Sequence, residues 1–161
     1  MGKKNNWNII LAKDSINDLS DNNLLKKYNI SDSYKIFLEN VRMCINEEET
    51  IWFLCINDYL EDSRSSFIWD EYKDFAFKYS YDEEEKEEIE YYFNTIVPIF
   101  FETEGRNVIS GNFNYFGINI ETDEIVAGSG LEFTVFEDLK IIADNFEMFL
   151  DKIVNVEIEI Q

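Results

Sequence analysis

Thirty-four Asp and Glu side chains and no histidine define the chemistry open to this chain. Acid–base work would fall to paired carboxylates, and nucleophilic work to a serine or to the two cysteines, Cys44 and Cys55. A serine or cysteine nucleophile needs an adjacent base, and the usual one is missing. Cys44 follows the apolar turns of one predicted helix and Cys55 lies in an apolar run, so both read as packing residues. A carboxylate pair spaced for glycoside hydrolysis fits the residue types. Among 34 carboxylates, however, some pair always meets such a spacing, so the pattern decides nothing. Asn17-Asp18-Leu19-Ser20-Asp21-Asn22-Asn23 offers oxygen ligands but lacks the Gly and terminal Glu of a calcium loop, and reads as a helix cap. Gly128-Ser129-Gly130 is followed by no Gly-Lys-Ser/Thr, and reads as a turn between strands. Trp52, Trp69 and the other aromatics at helix and strand spacing read as core rather than as a ligand groove. No catalytic residue, cofactor site or metal site is assigned.

One charged feature competes with its bland reading. Asp82 to Glu90 holds seven carboxylates and Lys86, a net −6. Asp82 followed by Glu85 has the form of a capping box, and acidic residues in a first helical turn suit the helix dipole. The run therefore reads either as a capped, solvated helix face or as a docking surface for a basic protein. On the second reading, charge speeds encounter and fixes orientation more than it adds affinity. Single exposed pairs contribute about 0–1 kcal/mol each, so a tight complex also needs aromatic anchors. The candidate partner-binding residues are Asp82, Glu83, Glu84, Glu85, Glu87 and Glu88.

The whole chain carries −20 over 161 residues. Residues 1–35 hold six lysines and four aspartates, a net +2, so the remainder carries −22. Such a field repels phosphate backbones and anionic lipid heads. Nucleic acid and membrane surfaces are not expected partners, whereas a basic protein is. Hydrophobic residues form 45% of the chain, with 14 Phe, 9 Tyr and 3 Trp, enough to bury a core and to exclude disorder. Two isolated thiols and an opening without a secretory leader are expected of a reduced cytoplasmic protein.

The elements follow from periodicity. Residues 1–13 form a polar lead into a short apolar stretch, Trp7 to Leu11. Asp21, Asn22 and Asn23 cap a short helix with Leu24, Leu25 and Tyr28. Ser31 caps a helix whose apolar face is Tyr34, Phe37, Leu38 and Val41. Thr50 to Ile56 reads as a buried strand, Ser66–Tyr79 as a helix, and the acidic run as a helix with Ile89, Tyr92, Phe93 and Ile96 inward. Val97 to Phe101 is a strand with Pro98 near its start or on an edge. After a turn at Glu104-Gly105-Arg106-Asn107, strands follow at Asn112–Ile120, Ile125–Ala127 and Leu131–Phe136. Asp138 then caps a helix with Leu139, Ile142, Ala143, Phe146, Phe149, Leu150 and Ile153 inward, and Val154–Ile160 alternates as a half-buried strand. The expected class is α+β in one domain over residues 1–161. Its mostly antiparallel or mixed central sheet is flanked by N-terminal helices and a C-terminal helix.

Three segments together resemble the SUKH superfamily, which includes yeast cell-wall-assembly regulators, Syd proteins and bacterial toxin-immunity proteins. Ile30-Ser31-Asp32-Ser33-Tyr34-Lys35-Ile36-Phe37-Leu38 is similar to the family's Leu-Pro-x-x-Tyr-x-x-Phe-Leu helix start. Ile96-Val97-Pro98-Ile99-Phe100, with the strand Phe113–Ile120 and hairpin after it, resembles the Ile-Pro-Ile-Phe strand and its successors. Ile142-Ala143-Asp144-Asn145-Phe146-Glu147-Met148-Phe149-Leu150 is similar to the closing Ala-x-Ser-Phe-x-x-Phe-Leu helix. Ser31 stands where the family has Pro, and Asn40-Val41-Arg42-Met43 replaces the family's glycine turn. The resemblance implies a mixed sheet with flanking helices and no enzymatic activity. It also implies structural roles for Tyr34, Phe37, Pro98, Phe146 and Phe149. Its bacterial members imply an immunity protein that binds a cognate toxin, often a nuclease; its yeast branch implies a non-catalytic regulator or scaffold.

Overall fold

Seven antiparallel strands run in chain order across one sheet, from β1 (Trp7–Leu11) through β2 (Val41–Asn46), β3 (Ile51–Phe53), β4 (Ile96–Thr103), β5 (Phe113–Asn119) and β6 (Ile125–Ser129) to β7 (Lys140–Ala143). The four helices are α1 (Asp32–Asn40), α2 (Trp69–Tyr79), α3 (Glu83–Thr95) and α4 (Phe146–Val154), with one 3-10 turn at Ile56–Tyr59. This α+β arrangement is taken from a computed structural model, which describes residues 6–13, 28–59, 69–103, 113–129 and 139–155. The expected class is the observed one, with a sheet that is antiparallel throughout the described residues.

Cross-strand partners share a face. Register therefore draws a row Ile9, Cys44, Phe53, Phe100, Phe116, Ala127, Lys140 across one face of all seven strands. On the other face runs Ile45, Trp52, Phe101, Tyr115, Gly128. The first row carries the core. Phe100 stacks edge-on against Phe53 at 4.8 Å and Phe116 at 5.2 Å, and Phe149 from α4 closes over all three. Tyr34 and Phe37 from α1 meet Phe146 from α4 at 4.8 and 5.5 Å. Edge-to-face packing of this kind adds about 0.5–1.5 kcal/mol per pair beyond burial. The first and third segments of the family resemblance thus meet in one aromatic cluster. Tyr34 also lies 2.6 Å from the Tyr59 hydroxyl, and Tyr59 donates to the Pro98 carbonyl, tying α1 to β4.

Several sequence expectations are corrected. The helix after Ser31 ends at Asn40, and Cys44 lies on β2 rather than on that helix. The β-branched Val41 opens a strand with partners on both sides, and the Asn40 amide and Arg42 guanidinium satisfy the last helical carbonyls at Ile36 and Leu38. The strand expected over Thr50–Ile56 is only Ile51–Phe53. Cys55 N–H bonds Asp58 Oδ2 at 2.7 Å, and the chain turns there into the 3-10 turn.

Pro98 is not on an edge. It sits early in the central strand, at a register shift against Gly117, where the ladder with β3 has not begun. Gly128 does not break the third strand, which continues to Ser129. The Tyr115 ring lies where a Cβ on Gly128 would stand, so the glycine admits the ring. The last helix starts at Phe146, not after Asp138. Lys140–Ala143 pairs with β6, and Asn145 caps the helix by accepting from Met148 N–H at 2.9 Å. The polar lead contains an edge strand, so the sheet begins before the helices. Expectations at Asn17–Asn23, Leu24–Leu25, Glu104–Asn107, Leu131–Phe136 and Val156–Ile160 lie outside the described residues, as does the start of the helix expected from Ser66.

Candidate acidic docking surface

The acidic run opens α3 as its spacing requires. Asp82 is the N-cap, and its Oδ1 accepts from Glu85 N–H at 2.9 Å. Glu85 turns its carboxylate back to accept from Tyr81 N–H at 2.5 Å, one residue before the capping-box position. Ile89, Tyr92 and Phe93 then point inward, and the Phe93 carbonyl accepts from the Tyr28 hydroxyl at 2.9 Å. With the core side thus fixed, the carboxylates divide between two outward stripes.

Glu83, Glu87 and Glu90, at i, i+4 and i+7, face α2 and line a groove of about 540 Å³ with Phe77, Tyr91 and Asn94. Two lysines enter it. Lys86 pairs with Glu83 at 2.5 Å, and Lys73 from α2 pairs with Glu90 at 2.7 Å while lying 5.3 Å over the Phe77 ring. Lys73 is 16% exposed at its side chain, so its charge is the more deeply held. Glu84 and Glu88 form the second stripe and are exposed.

The six residues expected at the site therefore differ in role. Asp82 and Glu85 are engaged in the cap, and Glu83 is paired with Lys86. Glu84, Glu87 and Glu88 are exposed and make no ion pair with the other described residues. Three tyrosines were not anticipated. Tyr79 at the end of α2, Tyr81 in the connection and Tyr91 on α3 are 59, 95 and 48% exposed. Reading aromatics as core hid them; the signal was their place beside the charge run, off the apolar face. Tyr91 donates to Glu121 Oε2 at 2.9 Å, and that bond is the first cause of its raised pKa. It holds the β5–β6 turn against α3.

Elsewhere the chemistry is muted. Burial pushes the Cys44 thiol up to about 11 and that of Cys55 to about 12, so both are poor nucleophiles near neutrality. Burial also raises the carboxyl of Glu102, partly offset by the Asn114 amide 3.4 Å away. Its cross-strand neighbours are Ile51 and Asn114, so no second carboxylate faces it along the ladder. Trp52 stacks on Phe101 at 5.7 Å, half-buried on the second sheet face. Among the described residues no group of three or more Cys, Asp or Glu side chains is placed to hold a metal ion, and no helix is long and apolar enough to cross a membrane. No family model, no curated protein and no solved structure matches this chain.

Proposed function

We propose that this chain is a cytoplasmic immunity protein of SUKH type that binds and neutralises a basic protein toxin, a nuclease, through the α2–α3 face. A nuclease must attract phosphate, so its active surface is positive. A protein carrying −20 can occupy that surface. The observation that carries the reading is the pairing on one face of exposed carboxylates with exposed Tyr79, Tyr81 and Tyr91. Carboxylates steer the encounter, and tyrosines supply the anchors that charge alone lacks. The aromatic cluster built from the family-like segments supports the SUKH assignment, because those segments then share one structural purpose.

The test is co-expression with candidate toxins from the same locus. The reading expects one nuclease toxin to be neutralised and to co-purify with this chain. If none is neutralised or captured, the immunity reading fails, and a regulatory or scaffold role of the cell-wall-assembly type takes its place.

A further inference from the structure

The two edges of the sheet are built differently. Strand β7 is short, carries the exposed Lys140 and has an irregular register, and the Lys152 ammonium donates to the Ile142 carbonyl at 2.6 Å. Short, charged and irregular edges resist pairing with another chain. Strand β1 has none of these devices. Its residues Trp7-Asn8-Ile9-Ile10-Leu11 include no charge and no proline, and Ile9, Ile10 and Leu11 are 56, 52 and 64% exposed.

The backbone of β1 shows which groups face outward. The Asn6 carbonyl accepts from Glu47 N–H at 2.9 Å, and Ala12 N–H donates to the Asn40 carbonyl at 2.8 Å. Backbone groups on an antiparallel strand alternate in direction. Asn6, Asn8, Ile10 and Ala12 therefore turn theirs to β2, while Trp7, Ile9 and Leu11 turn theirs away from the sheet. The outward residues are centred on Ile9.

We propose that β1 pairs with β1 of a second copy about a two-fold axis at Ile9, making one sheet continuous through both copies. Ile9 then faces its own equivalent and Trp7 faces the second copy's Leu11, closing about six backbone hydrogen bonds. The same register sets Lys13 of each copy level with position 5 of the other. The neighbouring Asn6 is where Glu47 is fastened, by its backbone and by an Asn6 Nδ2 bond to its carboxylate at 3.0 Å. Glu47 opens the acidic Glu47-Glu48-Glu49 turn. The new strand lies about 9–10 Å from β2, a gap that a lysine and a glutamate side chain span together. The two-fold thus makes a Lys13–Glu47 contact twice, which selects a second copy over an unrelated strand. Because each body carries −20, screening their repulsion outweighs weakening these contacts, and the dimer tightens as salt rises. Toxin binding through α2–α3 has the opposite salt dependence, so this pairing stands or falls independently of that proposal.

Sedimentation of the full chain over a range of concentration and salt tests the pairing, with hydrogen exchange at Trp7, Ile9 and Leu11. The expected result is a dimer that strengthens with salt and protects these three amides until diluted. Ile9→Lys raises the dissociation constant at least about tenfold. Lys13→Glu weakens the dimer at an exposed position that leaves the fold intact, and Lys13→Glu with Glu47→Lys restores it. A chain that stays monomeric at its highest soluble concentration overturns the proposal. So does a monomer whose three amides are protected, since a segment of its own chain then covers the edge. A dimer indifferent to Ile9→Lys and Lys13→Glu overturns it too, because that dimer uses another face.

Discussion

The aromatic face of the sheet and the acidic face of α3 hold opposite kinds of energy. On the first, Phe53, Phe100, Phe116, Phe146 and Phe149 interlock with α1 and α4, fully buried or nearly so. Removing any of them leaves a void that close packing cannot refill. On the second, Glu84, Glu87 and Glu88 stand in water, where each contributes little to folding but much to the field outside. One face determines whether the chain folds, and the other determines what it meets.

That contrast predicts a graded series. Phe100→Ala should cost about 3–5 kcal/mol of stability, measured by denaturant unfolding. A loss below about 1 kcal/mol would mean that the first sheet face is not the core. The buried thiols come next. Their folded-state pKa values of about 11 and 12 lie above the reference value of 9.0, so burial favours the protonated form. Stability is therefore undiminished by them below pH 9 and falls as pH rises through 11 to 12. Cys44→Ala with Cys55→Ala should flatten that alkaline fall, read from urea midpoints against pH. Asp82→Ala should cost about 1 kcal/mol by removing the cap of α3, and Asp82→Asn should recover most of it. Smallest of all, Glu84→Gln with Glu87→Gln and Glu88→Gln should move stability by no more than about 0.5 kcal/mol. A larger loss would place these carboxylates in the fold rather than on a docking surface.

The start of α3 was legible because its signals agree. Asp82, Glu85 and the Ile89–Tyr92–Phe93 spacing each require the same cap and the same inward face. The end of α1 was not. Val41 fits the helical spacing of Tyr34, Phe37 and Leu38, and no glycine or proline marks the passage into β2, so tertiary pairing alone decides it. The segment 139–143 fails in the same way, since Leu139, Ile142 and Ala143 suit helical spacing before Phe146 as readily as they suit a strand beside β6. At the candidate site, the charge was visible but its division was not. Whether a glutamate caps a helix, pairs with a lysine or stands free depends on α2, which supplies Lys73 and Phe77 from across the groove. Tyr79, Tyr81 and Tyr91 were taken for core because composition does not say which aromatics the core has room for.

The most direct test of the central claim is the rate at which this chain associates with the nuclease toxin of its own locus. It should be measured by stopped flow over rising salt, for the wild type and for Glu84→Gln with Glu87→Gln and Glu88→Gln. The account predicts a rate that falls steeply with salt, and about a tenfold slower association with a shallower salt dependence for the triple variant at low salt. A rate indifferent to salt and equal in the two proteins would contradict it.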